Sequence, residues 1–376
     1  MENTSVQPTA LERQDAFWGW IDRHIRKLIT MLIEKALSHE LHARLDAGWN
    51  ERSPQRRGYR NGYYTRRLVC PYGPLTVRIA RARNGRADSS LVFNRYQRRI
   101  ADVDRILRHA YLLGTSTRAT AELCGQIFGE SISHQTISQL MRWLDGQLAA
   151  WRNQPIAPVY KVVYIDGMHV DVNGGDRMVM LVAGQREPDW PMEILGFSVG
   201  KGERCVELLA DLRRRGLENV DLFISDQAAA IAHAIEWTYP EVTHQTCSFH
   251  RLQTLWANIG NTGYRKKMIR EASDIFRCPS KLAANDAAVA WRKRWQKVDA
   301  HAVAAFMNNL GDSLMFYQLP NTWWKRVRTN NPMERWIRTL RMRLRPMGCF
   351  HDHPAIERAV FGQCLRWHRI KLTHNT

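Results

Sequence analysis

The chain has 376 residues, 44% of them hydrophobic, and a formal net charge of +19 from 55 Lys and Arg against 36 Asp and Glu. That length and apolar content suffice for a buried core and roughly two or three domains, and they exclude a disordered chain. No run nears the ~18 apolar residues of a membrane span, no signal peptide opens the chain, and seven scattered cysteines form no disulfide framework, so a cytoplasmic protein with a polyanionic partner is expected.

Apolar residues from Phe17 to Leu37 recur at helical spacing. They predict a long amphipathic helix within an N-terminal helical region, residues 1–50, that either mediates dimerisation or packs as core. Residues 51–100 hold thirteen Arg, no Lys and two acids, Glu51 and Asp88, a local charge of 13 − 2 = +11. The planar fork of arginine grips phosphate oxygens in pairs, so this segment is expected to follow a DNA backbone. Arg56, Arg57, Arg60, Arg66 and Arg67 are its candidate contacts. Two β-runs, 67–70 and 75–79, flank a Pro/Gly turn at 71–74 and predict a hairpin.

Residues 101–157 return to a helical pattern. Ser116 can cap one helix, Gly129 marks a turn, and Ser133 can cap a second helix over 134–142. Helix, turn, helix is the shape of a DNA-reading motif, with His134, Gln135, Gln139 and Arg142 toward the groove; it is equally the shape of a plain αα-hairpin.

From residue 158 the period becomes that of strands. Strands are expected at 159–165, 177–183, 192–199, 220–225 and 242–247, with helices at 203–215 and 228–237 and a turn at Gly174 and Gly175. The order β-β-β-α-β-α-β is that of a ribonuclease-H-like layer, an α/β core with a mixed five-stranded sheet over 158–251. Residues 252–320 read as an all-helical insertion. Residues 321–376 return to the core with two helices, one from Asn331 and one near Pro354.

Asp166 and Asp226 both end strongly apolar strands, where α/β sheets place their ligand-binding groups. If the two strands are neighbours, the carboxylates share a site that a hard divalent cation would neutralise, which suits phosphodiester displacement. A third carboxylate, Glu334, follows Asn331 as N-cap and Pro332 as the first helical residue. It is either a further metal ligand or half of a capping box that also pairs with Arg338. Arg338, Arg341 and Arg345 share its face and suit a DNA phosphate track. Trp323 and Trp324 either stack an extruded base or pack in the core. No G-x-x-x-x-G-K-[ST] loop is present, so no nucleotide cofactor is expected.

These segments resemble the Mutator-type transposases of bacterial insertion sequences, over most of residues 55–365. The matching stretches are RNGY at 60–63, LGTSTR at 113–118, ISHQTIS at 132–138, ID at 165–166, EILGF at 193–197, ISD at 224–226, QTCSFH at 245–250, and TN at 329–330 through ER at 334–335. Their order and spacing carry the resemblance, with 60 residues from Asp166 to Asp226 and 108 from Asp226 to Glu334. The chain departs from the family at Ala229 and Ala230, where Gly is common, and at Gln253, where Asn often stands.

The resemblance implies an Asp-Asp-Glu triad of Asp166, Asp226 and Glu334 on a ribonuclease-H-like fold, holding two Mg2+ or Mn2+ ions. It implies a DNA transposase that binds the terminal inverted repeats of its element, cleaves there and joins the end to target DNA as a homodimer or larger assembly. Cys247 and His250 match the family's Cys-x-x-His signature and are assigned a structural or supporting role; a zinc site there would need further ligands such as Cys349, His351 and His353. The alternatives are a catalytically inactive, domesticated DNA-binding relative and a stand-alone structure-specific nuclease.

Overall fold

The computed structural model describes residues 9–83, 92, 94, 96–172, 175–200 and 204–368. Residues 84–91 of the arginine-rich segment and Gly174 of the expected turn lie outside them. The chain divides into two compact units, Met1–Met141 and Arg142–Thr376.

The first unit opens with helix α1 (Ala10–Leu45), longer than the apolar periodicity at both ends. A capping box explains its start: the Thr9 Oγ1 accepts from the Glu12 N–H at 3.3 Å, and the Thr9 N–H donates to Glu12 at 2.6 Å. Strands β1 (Tyr59–Cys70) and β2 (Gly73–Arg83) form an antiparallel hairpin about Pro71 and Tyr72. Gly73 follows the turn at φ +104°, a left-handed backbone that favours glycine. The hairpin outruns its two apolar stretches because Tyr and Arg fill its outer end, where there is no core to pattern. Leu37 of α1 joins Leu68, Cys70, Leu75 and Val77 of the hairpin in a buried cluster.

Helices α2 (Ala101–Leu112), α3 (Thr117–Phe128) and α4 (His134–Met141) complete this unit. Ser116 Oγ accepts the Ala119 N–H and Ser133 Oγ accepts the Thr136 N–H, both at 3.1 Å, so the two caps form as expected. Gly129 closes α3 at φ +64°. The second helix stops at Met141, one residue short of its expected end.

The second unit begins with α5 (Trp143–Arg152). Strands β3 (Val159–Val172), β4 (Gly175–Gln185) and β5 (Glu193–Gly200) follow as an antiparallel succession. Then come α6 (Arg204–Arg214), β6 (Asn219–Ser225), α7 (Ala229–Thr238) and β7 (Thr243–Thr246). The sheet order is β5-β4-β3-β6-β7, with β3, β6 and β7 parallel, so the sheet is mixed and five-stranded, consistent with a ribonuclease-H-like core. Val163, Ile165 and Phe223 pack with Leu209 and Leu212 of α6 and Ile231 and Ile235 of α7 in one buried layer.

Beyond the sheet lie α8 (Ser248–Asn258), α9 (Arg265–Ile275), α10 (Lys281–Trp295), α11 (Ala300–Met307), a 3-10 segment (Leu310–Gln318) and α12 (Asn321–Val327). Helices α13 (Asn331–Leu344) and α14 (His353–His368) end the described chain. Among the described residues no helix is long and apolar enough to cross a membrane.

One buried arginine ties the helical region together and reaches the sheet, donating to the Thr246 hydroxyl of β7 at 3.3 Å. Arg251 of α8 is 3% exposed; it donates to the Ser313 hydroxyl at 2.6 Å and to the carbonyls of Phe306, Asn308 and Asn309 at 3.1, 2.6 and 3.0 Å. Truncation would leave the buried Ser313 hydroxyl and Phe306 carbonyl without this donor, each costing about 1–3 kcal/mol, and would empty the space of a buried guanidinium. Arg251→Ala is therefore expected to lower unfolding stability by at least about 3 kcal/mol. Equilibrium denaturation checks this, and a loss below about 1 kcal/mol would refute it.

Candidate active site

The parallel register of β3 on β6 ends at Tyr164 opposite Ile224. Asp166 and Asp226 each stand two residues beyond that pair, so the register brings them level. Asp226 directly follows β6, as expected, and its Oδ1 accepts the Ala228 N–H at 3.0 Å at the head of α7. Asp166 differs from expectation: β3 runs six residues past it, to Val172, paired with β4. What ends near Asp166 is the pairing with β6 rather than the strand itself. Side chains alternate along a strand, so with Val163 and Ile165 in the layer beneath α6 and α7, Asp166 projects from the other face.

Glu334 reaches that region on α13, which packs against β3. The N-cap is Asn330, one residue before the expected Asn331, so the capping-box spacing to Glu334 is lost. Pro332 accordingly takes the second helical position rather than the first. Asn330 is fully buried and its side chain makes no cap bond; its Nδ2 donates to the Ile165 carbonyl at 3.1 Å, and its backbone N–H donates to Cys247 Sγ at 3.2 Å. One residue thus ties the start of α13 both to β3 beside Asp166 and to the end of β7. The sequence reading assigned it no role, although it lies in one of the matching stretches.

Further bonds hold this junction, one to the end of β6 and the others across some 80 residues of chain. The Cys247 N–H donates to the Ser225 carbonyl at 2.8 Å, next to Asp226. The N–H and hydroxyl of Ser248 donate to the Arg328 carbonyl at 3.1 and 2.7 Å, and Gln245 Nε2 donates to the Val327 carbonyl at 2.5 Å.

The electrostatics register the three acids together. Burial pushes the Asp166 carboxyl, 6% exposed, up to about 7; the Gly167 N–H at 2.8 Å opposes that rise, the charges of Asp226 and Glu334 add to it, and Arg341 opposes it. Burial also raises Glu334, against the lowering fields of His250 and Arg338. His250 Nε2 lies 3.9 Å from Glu334 Oε1. Among the described residues Glu334 Oε1, Asn330 Oδ1 and His250 Nδ1 are buried without a hydrogen-bond partner. Cys247 is fully buried, and desolvation holds its thiol up at about 11 despite nearby backbone N–H groups.

Asp166 and Asp226 stand level on neighbouring strands and Glu334 enters on the helix packed against β3, but the three acids do not form a close ligand group of the kind that Cys247, His250 and Glu334 form among the described residues. Hard oxygen donors with an unpartnered Glu334 oxygen among them fit Mg2+ or Mn2+ in chemistry and charge. Arg338 and Arg341 are exposed on α13, whereas Arg345 stands beyond its end at the C-cap. Trp323 is 2% exposed and part of the core; Trp324 donates from Nε1 to the Leu319 carbonyl at 2.7 Å and meets Tyr317 edge-on.

The remaining candidates lie elsewhere. His134, Gln135 and Gln139 are exposed on α4, but Arg142 falls outside that helix, at the N-cap of α5 and in the second unit. Arg57 and Arg67 are exposed, with Arg67 paired to Glu130 at 2.8 Å. Arg56, Arg60 and Arg66 are half-buried. Arg56 lies over the Tyr59 ring and Arg60 over Trp49, lining a 760 Å³ cleft. Arg66 donates to the Asn94 carbonyl at 3.3 Å.

Comparison with known proteins places residues 2–367 in a match to the family described as transposase, Mutator family. The transposase for insertion sequence element IS1201 of Lactobacillus helveticus is 23% identical over 365 residues, covering 95% of this chain and 97% of that one. The transposase for ISRM5 of Rhizobium meliloti is 25% identical over 355 residues, covering 92% and 87%. The transposase for IS1081 of Mycobacterium tuberculosis is 29% identical over 346 residues, covering 89% and 82%.

Proposed function

The chain belongs to the Mutator family of transposases, and from that premise we propose that it is the DNA transposase of an insertion sequence, acting through Asp166, Asp226 and Glu334. The observation that carries this reading is the register that sets Asp166 and Asp226 level on neighbouring parallel strands, with Glu334 on the helix that packs against β3. An inert DNA-binding relative has no use for three mutually repelling acids, one of them almost wholly desolvated.

The three side chains would hold two Mg2+ or Mn2+ ions. When bound, such ions activate water and neutralise charge developing on the attacking and leaving oxygens. The chain's own residues supply the rest. Asn330 and the bonds around Cys247 fix where α13 enters the site, and so where Glu334 stands. Arg338 and Arg341 carry positive charge beside the acids and receive the phosphates that flank the scissile bond. Hydrolysis at the element's end leaves a 3′-hydroxyl and a 5′-phosphate. That hydroxyl then displaces a 3′-oxygen from a target phosphodiester, joining element to target. Both are in-line displacements without a nucleotide cofactor, and a DNA substrate places the protein in the cytoplasm with the nucleoid.

In this reading α3 and α4 bind the terminal inverted repeats, with His134, Gln135 and Gln139 reading bases. The arginines of residues 51–67, with Arg142 of the second unit, hold the backbone, and a homodimer or larger assembly bridges two ends. Labelled duplex from the borders of the element, incubated with the protein and Mg2+ or Mn2+, tests it. Nicking at the repeat boundary with joined products is expected, and tight binding without any metal-dependent product would overturn it.

The two binding elements should separate by salt. Arg67→Ala is expected to weaken repeat and random duplex alike and to reduce the salt slope by about one counterion. Gln139→Ala should cost about 1–3 kcal/mol on the repeat only. Fluorescence anisotropy on both duplexes over a salt series checks this; equal losses on both for Gln139→Ala would remove α4 from base reading.

A further inference from the structure

Cys247, His250 and Glu334 make up the one cluster of potential metal ligands, three or more in number, that forms among the described residues. Each offers a ligand atom, and these atoms lie within 4.8 Å of one another. Cys247 ends the turn out of β7, and His250 sits in the first turn of α8. Glu334 comes from α13, 84 residues further on.

We propose that these three side chains form a site for a thiophilic divalent cation of the Zn2+ class, and that its occupancy draws Glu334 away from the hard-cation site of Asp166 and Asp226. The donor set mixes sulfur, imidazole nitrogen and one carboxylate, which suits Zn2+ and not Mg2+. A tetrahedron with zinc bond lengths has edges of about 3.3–3.6 Å. The His250 Nε2 to Glu334 Oε1 edge is already 3.9 Å, so small side-chain rotations close it.

The sulfur already has one backbone donor, the Asn330 N–H at 3.2 Å from Cys247 Sγ, while burial favours the neutral thiol until a cation takes the place of its proton. An amide so aimed compensates negative charge on sulfur. Glu334 Oε1, which lies 3.9 Å from His250 Nε2, is buried with no hydrogen-bond partner among the described residues, so the cluster holds an unmet acceptor. The ligands considered from sequence are elsewhere engaged or open to solvent: His353 Nε2 is 2.6 Å from the Val199 carbonyl, and Cys349 is exposed. On binding, the cation replaces the thiol proton, which leaves to solvent, and three protein ligands keep a fourth position open. Cation binding stands on this geometry alone; only the effect on cleavage rests on the triad reading.

Co2+ is the probe, added to full-length protein in a Cys278→Ser/Cys349→Ser background that removes the two accessible thiols. A thiolate-to-cobalt charge-transfer band saturating at one equivalent is expected, displaced by Zn2+ and untouched by excess Mg2+. Cys247→Ser should abolish it. His250→Ala and Glu334→Gln should each weaken Co2+ binding at least about tenfold, and Asp166→Asn should leave the band in place. No band in folded protein, or a band unchanged in Cys247→Ser, overturns the site. If Cys247→Ser does not fold, His250→Ala decides, and unchanged Co2+ affinity in it overturns the site equally. Zn2+ that saturates the site while Mg2+-dependent cleavage continues overturns the withdrawal of Glu334. If the protein cleaves no DNA at all, the cobalt titration still reports on the site, so failure of the transposase reading stays separate.

Discussion

Glu334→Gln and Asp166→Asn are each expected to lower metal-dependent cleavage at the element's end by at least about a thousandfold, or ~4 kcal/mol of transition-state stabilisation. Both changes keep shape and remove one negative charge from the place where the cations would sit. Their buried setting magnifies the loss, since a charge at low dielectric has few competitors for its partner. DNA affinity should stay within about twofold, because the acids are not what holds the phosphate backbone. Single-turnover cleavage and filter binding on the same duplex separate the two quantities. Asp226→Asn belongs to the same set. Cleavage within tenfold of wild type in Glu334→Gln would remove that residue from the triad and leave α13 a structural helix.

Asp166→Asn should also stabilise the metal-free protein, increasingly so as pH rises. The folded state holds the Asp166 carboxyl at about 7, above its ordinary 3.8. Between those values the folded state binds a proton that the unfolded chain has released. Its stability therefore falls as pH climbs from about 4 to 7, and the penalty is complete above about 7. Some three pH units correspond to about 4 kcal/mol at most. For a unit of this size that amounts to about 8–16 °C at most in melting temperature. Asn carries no such penalty, so its melting temperature should exceed wild type near pH 8 and converge toward it near pH 4. Mg2+ at pH 8 should raise wild type and close the gap. Calorimetry at three pH values checks this, and a gap constant with pH would mean that Asp166 is not desolvated in solution.

Reading by residue type and spacing reached the succession of elements because their signals are local. The apolar runs of β3, β5 and β6, the Ser116 and Ser133 caps and the turn at Gly129, where φ is +64°, each depend on neighbours within a few residues. The mix of strand directions followed from element order, since parallel strands need helical crossovers and antiparallel ones need only turns, whereas the pairing of β3 with β6, left open in the sequence, is decided by the fold. The outer hairpin and the first turns of α1 were underestimated because Tyr, Arg and Gln carry no periodic apolar signal where nothing covers them.

The proposed site divides along the same line. The residue types of its candidates, Asp166, Asp226 and Glu334, are legible as acids near the ends of apolar runs and at the head of a basic helix. Their environment is not. Only the folded chain extends β3 past Asp166, moves the cap to Asn330 and spends that side chain on the Ile165 carbonyl. Only the fold brings Glu334 within 3.9 Å of His250. A cap or a turn is decided by hydrogen bonds a few residues apart, so composition and spacing determine it. A carboxyl's pKa and its third partner are decided by burial and by groups up to 168 residues distant, from Asp166 to Glu334, which only packing brings together.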